Sequence, residues 1–229
     1  KTITMLSHLK DLKKIPLVLF SSSASVYGNP VSLPVVETDP VQPISPYGQS
    51  KAIIEQVLRD YNRAYGMSSV CFRYFNAAGA EPFHYDLGQA PEATHIIARV
   101  LEAKLSNQTF TLNGNDYNTP DGTCIRDYIH VWDLADAHIR AVDYCKDKTK
   151  SALIFNLGTH AGISNNQIIE YVISKYGNLI VEKGARRPGD PDQLIANSDL
   201  AQQLLGWDSN YSTIDQIIDS AYKWYTSNV

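Results

Sequence analysis

Apolar positions along the chain alternate between two rhythms. Ile3, Leu6, Leu9 and Leu12 recur every third residue, which predicts a helix, and the run "IPLVLFSSS" that follows is continuously apolar before it ends in hydroxyls. Such a strand is expected to be buried on both faces, as in a parallel sheet. After a polar, proline-rich loop over 29–46, a helix is expected from Ser45, with Ile54, Leu58, Tyr61 and Tyr65 on one stripe and a stop at Gly66. "SSVCFRYFNAAG" predicts the next buried strand, ending at Asn76 and Gly79. Ser23 and Asn76 would then both lie at carboxyl ends of strands, where open α/β sheets bind their ligands.

Beyond residue 80 the loops lengthen, which suggests a second lobe. The pattern predicts a helix over "HIIARVLEAKL", a strand at "FTLNG", a loop "NDYNTPDGT", and a strand "CIRDYIHV" followed by a helix "LADAHIRAVDYC" capped by Asp133. "ALIFNLGT" and "NLIVEK" read as strands. Ser164 and Gln167 form a capping box for "NNQIIEYVISKYG", and two short helices, "SDLAQQLLGW" and "STIDQIIDSAYKWY", close the chain. The expected fold is α/β: part of a doubly wound parallel, Rossmann-like sheet over 1–80, and a smaller mixed α/β lobe over 81–229 with segments returning to that sheet. No G-x-G-x-x-G occurs in the sequence, so the βαβ half that grips a dinucleotide pyrophosphate is expected ahead of Lys1, and this chain to be the carboxyl-terminal portion.

Composition narrows the function classes. The 229 residues are 44% hydrophobic and 19% charged, an ordinary soluble globular balance. A formal net charge of -4 with no Lys/Arg run offers no electrostatic attraction to nucleic acid or to an anionic membrane. No apolar run reaches the length of a membrane span. Cys71, Cys124 and Cys145 are odd in number and scattered, as expected of reduced structural thiols in the cytoplasm. The histidines, His130 and His138 among them, show no metal-ligand spacing, and no metal is expected.

Candidate chemistry begins with "SPYGQSK", where Tyr47 precedes Lys51 by four residues at the start of a helix. Residues i and i+4 share a helix face, so the ammonium can favour an ionised phenol and make it a base. The spacing alone is weak evidence, because Tyr144 with Lys148 and Tyr171 with Lys175 repeat it; a solvated helix face is the ordinary reading of those two.

"FSSSASVYG", "SPYGQSK", "RYFNAAG", "GNDYNTPDGTCIRDYIHVWDLADAH", "FNLGT" and "RRPGD" stand in the order and spacing of the UDP-glucose 4-epimerase family, nucleotide-sugar members of the extended short-chain dehydrogenases/reductases, and the chain resembles that family throughout. The resemblance implies interconversion of UDP-galactose and UDP-glucose with bound NAD, in a cytoplasmic homodimer. It assigns Ser23, Tyr47 and Lys51 to a catalytic triad that also touches the cofactor, with Phe75 against the nicotinamide. It puts Asn76 on the nucleotide, Thr111, Leu112 and Asn113 beside the uracil, Arg126 and Arg187 on the diphosphate, and Asp190 on the uridine ribose. His95, Ile96 and Leu194 fall at further substrate positions: His95 before Ile96 stands where the family often has Asn before Leu, and Leu194 lies at a position that in some members helps set sugar bulk.

Other readings stand beside these. Hydroxyl-to-backbone bonds closing the strand are the structural reading of the serine triplet, expected at Ser21 and Ser22, and Arg126 could be a strand arginine paired with Asp127 or Asp133. A nucleotide-sugar 4,6-dehydratase would need an acid and a base, and "SSSAS" offers no carboxylate. A non-catalytic UDP-sugar-binding relic would keep the fold without the cofactor half.

Overall fold

In the computed structural model, residues 1–83, 87–89, 94–146, 151–186 and 189–228 are described. Their elements in chain order are α1 (Thr2–Leu9), β1 (Val18–Ser23), a 3₁₀ turn (Ala24–Val26), α2 (Pro46–Tyr65), β2 (Ser69–Tyr74), β3 (Asn76–Ala78), α3 (Ile96–Leu105) and β4 (Phe110–Asn113). There follow β5 (Ile125–His130), α4 (Val131–Cys145), β6 (Ala152–Leu157), β7 (Gly162–Ser164), α5 (Asn165–Tyr176), β8 (Val181–Gly184), β9 (Gln193–Leu194), α6 (Asp199–Leu205) and α7 (Ile214–Asn228). The chain divides into two compact units.

The first unit comprises Lys1–Phe75, Ala135–Leu157 and Ala196–Asp208. Its sheet has the order β1-β2-β6, all parallel, with Ser23 beside Tyr74 and Tyr74 beside Leu157. Central β2 is buried along nearly its whole length, whereas β1, on the sheet's edge, buries only Ser22 fully. Val18 and Phe20 of β1 are partly buried and pack on the core of this unit. Leu6 of α1, Leu58 of α2, Met67 and Cys71 form a core beneath this sheet, joined by Ile54 and Tyr61 from the predicted stripe. α2 begins as its sequence dictates: the Ser45 hydroxyl accepts from Gly48 N–H at 3.1 Å, Pro46 opens the first turn, and Gly66 at φ 70° ends the helix. α1 stops at Leu9, so Leu12, the last member of its apolar row, is left exposed.

The second unit comprises Asn76–Leu134, Gly158–Ile195 and Ser209–Val229. Here β5 pairs in parallel with β3 and β9 and antiparallel with β7, and β4 pairs in parallel with β8. Val100 and Leu101 of α3, Ile168 and Val172 of α5, and Ile217 and Ile218 of α7 are wholly buried together in its core.

Two local expectations are corrected. "SSVCFRYFNAAG" is not one strand: β2 ends at Tyr74, and β3 starts at Asn76 in a different sheet, beside Tyr128. Asn76 therefore begins a strand instead of ending one; apolar continuity carries no mark of a change of partner. Asp133 lies inside the first turn of α4, which starts at Val131, and its carboxylate accepts from Tyr211 N–H at 3.0 Å and the Ser212 hydroxyl at 2.5 Å. The Ser164–Gln167 capping box is present as predicted. All three cysteines are buried, and none is in a disulfide. Among the described residues no helix is long and apolar enough to cross a membrane.

Candidate active site

In the first unit the candidate chemistry gathers where β1 ends. Side chains alternate along a strand, so Ser22 turns to the face opposite Ser21 and Ser23. Buried Ser22 donates to Glu55 Oε1 at 2.5 Å, and the Ser21 hydroxyl lies 3.0 Å from that of Tyr74. Ser23 Oγ accepts from Ser25 N–H at 3.2 Å and so caps the 3₁₀ turn. The hydroxyl-to-backbone bond expected of Ser21 and Ser22 thus falls on Ser23, whose extended backbone at the start of a turn is the N-cap geometry.

Tyr47 and Lys51 stand on the first turns of α2. Tyr47 is 55% exposed, so its phenol is open to a reacting molecule. Lys51 Nζ donates to the Ser21 carbonyl at 2.8 Å and sits 5.4 Å from the centre of the Tyr47 ring and 5.2 Å from that of Phe20. Gly48 lets α2 come this close: a Cβ there would stand 2.4 Å from the carbonyl oxygen of Ser25. Phe75 is buried just past β2, its N–H on the Leu157 carbonyl.

The look-alike pairs differ. Lys175 donates to the Tyr171 hydroxyl at 2.9 Å and is also bound by Asp219, which neutralises its charge. Lys148 lies outside the described residues.

In the second unit, α3, β4 and the loop before β9 enclose a cavity of about 70 Å³ lined by Ile96, Arg99, Thr111, Leu112, Asn113, Cys124, Asn165 and Asp190, among others. It gathers five of the sequence-predicted residues: Ile96, Thr111, Leu112, Asn113 and Asp190. Arg126, nearly buried on β5, donates to the Ile125 carbonyl at 2.9 Å and places its other Nη 3.8 Å from Asp190. Of the two carboxylates of the structural reading, Asp127 accepts from Thr159, and Asp133 from Tyr211 and Ser212. Burial raises the Tyr128 phenol; the Asn76 side chain bonds to it, and it donates to Asn165 at 3.4 Å.

Asn76, His95, Arg126 and Leu194 are not part of the described lining. His95 stands exposed at the N-cap of α3 without a side-chain capping bond, and Leu194 is buried beside Arg126 in the β9–β5 register. Arg187 lies outside the described residues. Its neighbour Arg186 bonds Asp192 at 2.6 Å and stacks 4.0 Å from the centre of the Tyr117 ring.

Sequence reasoning missed Arg99, Cys124 and Asn165 in this cavity, and Glu55 and Arg73 in the first unit. Arg99, one helical turn after Ile96, could have been found from that spacing; the others carry no local signal.

A family model described as GDP-mannose 4,6 dehydratase matches residues 1–220. A UDP-glucose 4-epimerase of Streptococcus mutans is 45% identical over 93% of the chain, which spans 64% of that relative's length. Among solved structures, UDP-glucose 4-epimerase of Brucella ovis in complex with NAD superposes with a TM-score of 0.90 at 41% identity, covering 97% of this chain and 68% of that one. The Bifidobacterium longum enzyme, in complex with NAD+ and UDP, gives 0.90 at 35% identity over 99% of this chain and 68% of that one. The strand-end serines, the Tyr47–Lys51 helix start and this similarity along nearly the whole sequence agree: the chain belongs to the UDP-glucose 4-epimerase family of extended short-chain dehydrogenases/reductases.

Proposed function

We propose that this chain carries the catalytic and UDP-binding residues of a UDP-glucose 4-epimerase, which interconverts UDP-galactose and UDP-glucose through a 4-keto sugar, in galactose metabolism. The observation that carries the reading is Lys51, held on the Ser21 carbonyl with its ammonium 5.4 Å from the Tyr47 ring. Tyr47 takes the proton of the sugar's C4 hydroxyl and returns it when the ketone is reduced on its other face. Proton transfer by a side chain positioned in this way is general acid–base catalysis, and Lys51 sets a positive charge beside the ring that performs it. Ser23 orients the same oxygen through its hydroxyl.

NAD, when bound, would take the C4 hydrogen and give it back. The residues present fit its nicotinamide end: an ammonium has three donors, of which Ser21 engages one, and Lys51 can offer the others to the ribose hydroxyls. Phe75 would lie against the ring. In the second unit, Arg126 and Arg187 neutralise the diphosphate, Asp190 holds the uridine ribose, Asn76 contacts the nucleotide, and Thr111, Leu112 and Asn113 border the uracil. His95, Ile96 and Leu194 complete the substrate positions. Residues 1–80 act as part of the NAD-binding domain and 81–229 chiefly as the UDP-sugar lobe, in a cytoplasmic homodimer.

The family model's description raises a dehydratase as the second reading. Elimination of water across C5 and C6 needs a carboxylic acid and a base. The end of β1 supplies only hydroxyls, and Glu55 is wholly buried against Arg73, so the epimerase is favoured.

A coupled assay of UDP-galactose conversion with added NAD, on this chain and on the longest product of its coding sequence, tests the reading beside Tyr47→Phe. Conversion abolished by the substitution supports it. Absence of conversion in both proteins, or an unchanged rate in Tyr47→Phe, overturns it and favours a non-catalytic UDP-sugar-binding protein.

A further inference from the structure

Tyr47, Lys51 and Glu55 follow one another at steps of four along α2, so they share a stripe that turns slowly about the helix. Along it exposure falls from 55% at Tyr47 to 1% at Glu55. Glu55 ends the stripe inside the first unit, where its carboxylate meets groups from two strands. Arg73 of β2 grips it in two places, Nε to Oε1 at 3.0 Å and Nη2 to Oε2 at 2.7 Å. Ser22 of β1 donates to the same Oε1 at 2.5 Å. Arg73 is held from its far side by the Tyr27 hydroxyl at 2.8 Å and the Glu37 carbonyl at 3.2 Å.

A buried ion pair contributes little to net stability, because desolvation of two charges offsets most of their attraction. Its geometric effect is larger, since a bidentate guanidinium–carboxylate pair fixes both distance and angle. Here the fixed carboxylate is bonded to the residue immediately before Ser23 and is borne by the helix of Tyr47 and Lys51. Ser22 is the direct side-chain tie between Glu55 and the end of β1, while Lys51 makes a second tie through the Ser21 carbonyl.

We propose that Ser22, Glu55 and Arg73 form a positioning unit that sets the catalytic hydroxyl of Ser23 against Tyr47 and Lys51. This rests on the epimerase reading of the same residues. Ser22 acts through Glu55, and Glu55 through its helix; none of the three touches the reacting atoms.

The test compares Ser22→Ala, Tyr27→Phe and Tyr47→Phe in the longest product of the coding sequence. Ser22→Ala cuts the tie while both carboxylate oxygens keep their Arg73 bonds, so no charge is stranded and the protein folds. Tyr27→Phe instead cuts the outer end of the network and leaves the tie intact. Expected for Ser22→Ala are a fall in kcat of about ten- to a hundredfold, as for a misplacement of reacting groups, with KM for UDP-galactose unchanged and faster amide exchange over residues 22–26. For Tyr27→Phe the expectation is a lower unfolding midpoint with kcat retained. If Tyr47→Phe abolishes turnover while Ser22→Ala keeps the parent kcat, or if Ser22→Ala and Tyr27→Phe lower kcat alike, the positioning role is wrong and the network is structural. If Tyr47→Phe leaves turnover intact, the epimerase reading itself fails and takes this inference with it.

Discussion

Lys51 Nζ donates to the carbonyl of Ser21 at 2.8 Å, so the ammonium on α2 is fastened to the strand that ends in Ser23. The bond does two things at once. It holds the charge 5.4 Å from the centre of the Tyr47 ring, and it uses a backbone acceptor that no substitution of Ser21 can remove.

Lys51→Met should therefore separate chemistry from stability. A single hydrogen bond at an exposed site contributes about 1 kcal/mol, so the urea midpoint should move little. The positive charge beside the Tyr47 ring is lost, and turnover of UDP-galactose should fall roughly 100- to 10,000-fold, the usual worth of a positioned acid–base group. A variant that unfolds readily yet turns over normally when folded would show Lys51 to be a structural residue.

Gly48→Ala sets two effects of opposite sign against each other. Alanine favours a helix over glycine by about 1 kcal/mol. The new methyl, however, would lie 2.4 Å from the Ser25 carbonyl oxygen, a backbone atom that cannot swing aside. Relieving such overpacking costs typically about 1–3 kcal/mol, so the clash should win. Urea denaturation should show a net loss of stability, and the shift of the first turn of α2 should lower kcat as well.

How far the sequence reached can be judged from particular residues. The helix of Tyr47 was readable because Ser45, Pro46 and Gly66 punctuate it locally, and the Ser164–Gln167 capping box for the same reason. The change of sheet at Phe75 was not, because partner choice depends on Leu157 and Tyr128, both far along the chain. β7 and β9 span three residues and two, too short for any period to register. At the candidate site, Ile96, Thr111, Leu112, Asn113 and Asp190 were placed by resemblance and meet at one cavity. Glu55 was passed over because a glutamate in a helix ordinarily faces water; its burial follows from Arg73, eighteen residues on.

Among the described residues, Arg126 and Arg186 near Asp190 should differ in their effect on nucleotide binding. Arg126 has its guanidinium 3.8 Å from Asp190 and is the group proposed for the diphosphate. Arg186 is engaged by Asp192 and stacked on Tyr117. Calorimetric titration with UDP should give a Kd raised about ten- to a hundredfold in Arg126→Ala, as befits loss of a charge-assisted contact, and nearly unchanged in Arg186→Ala. The reverse order would move the diphosphate to Arg186.

His130 gives the second unit a dependence on pH. Its ring is 1% exposed, its Nε2 is 3.0 Å from the Ser220 hydroxyl, and its Nδ1 accepts from Trp132 N–H at 3.0 Å. Burial penalises the imidazolium and lowers the pKa from 6.5 to about 4. Above the unfolded value both states are neutral and the histidine adds no slope. Between 6.5 and about 4 the unfolded chain binds a proton that the folded one refuses, so stability declines as pH falls through this window and levels off below it. One pKa unit corresponds to about 1.4 kcal/mol, so roughly 3 kcal/mol should be lost across the window. Unfolding midpoints measured from pH 7 to 4 should show this decline, and His130→Gln, which cannot titrate, should flatten it. An equal slope in the two proteins would mean that His130 is protonated in the folded state and that other groups govern the acid limb.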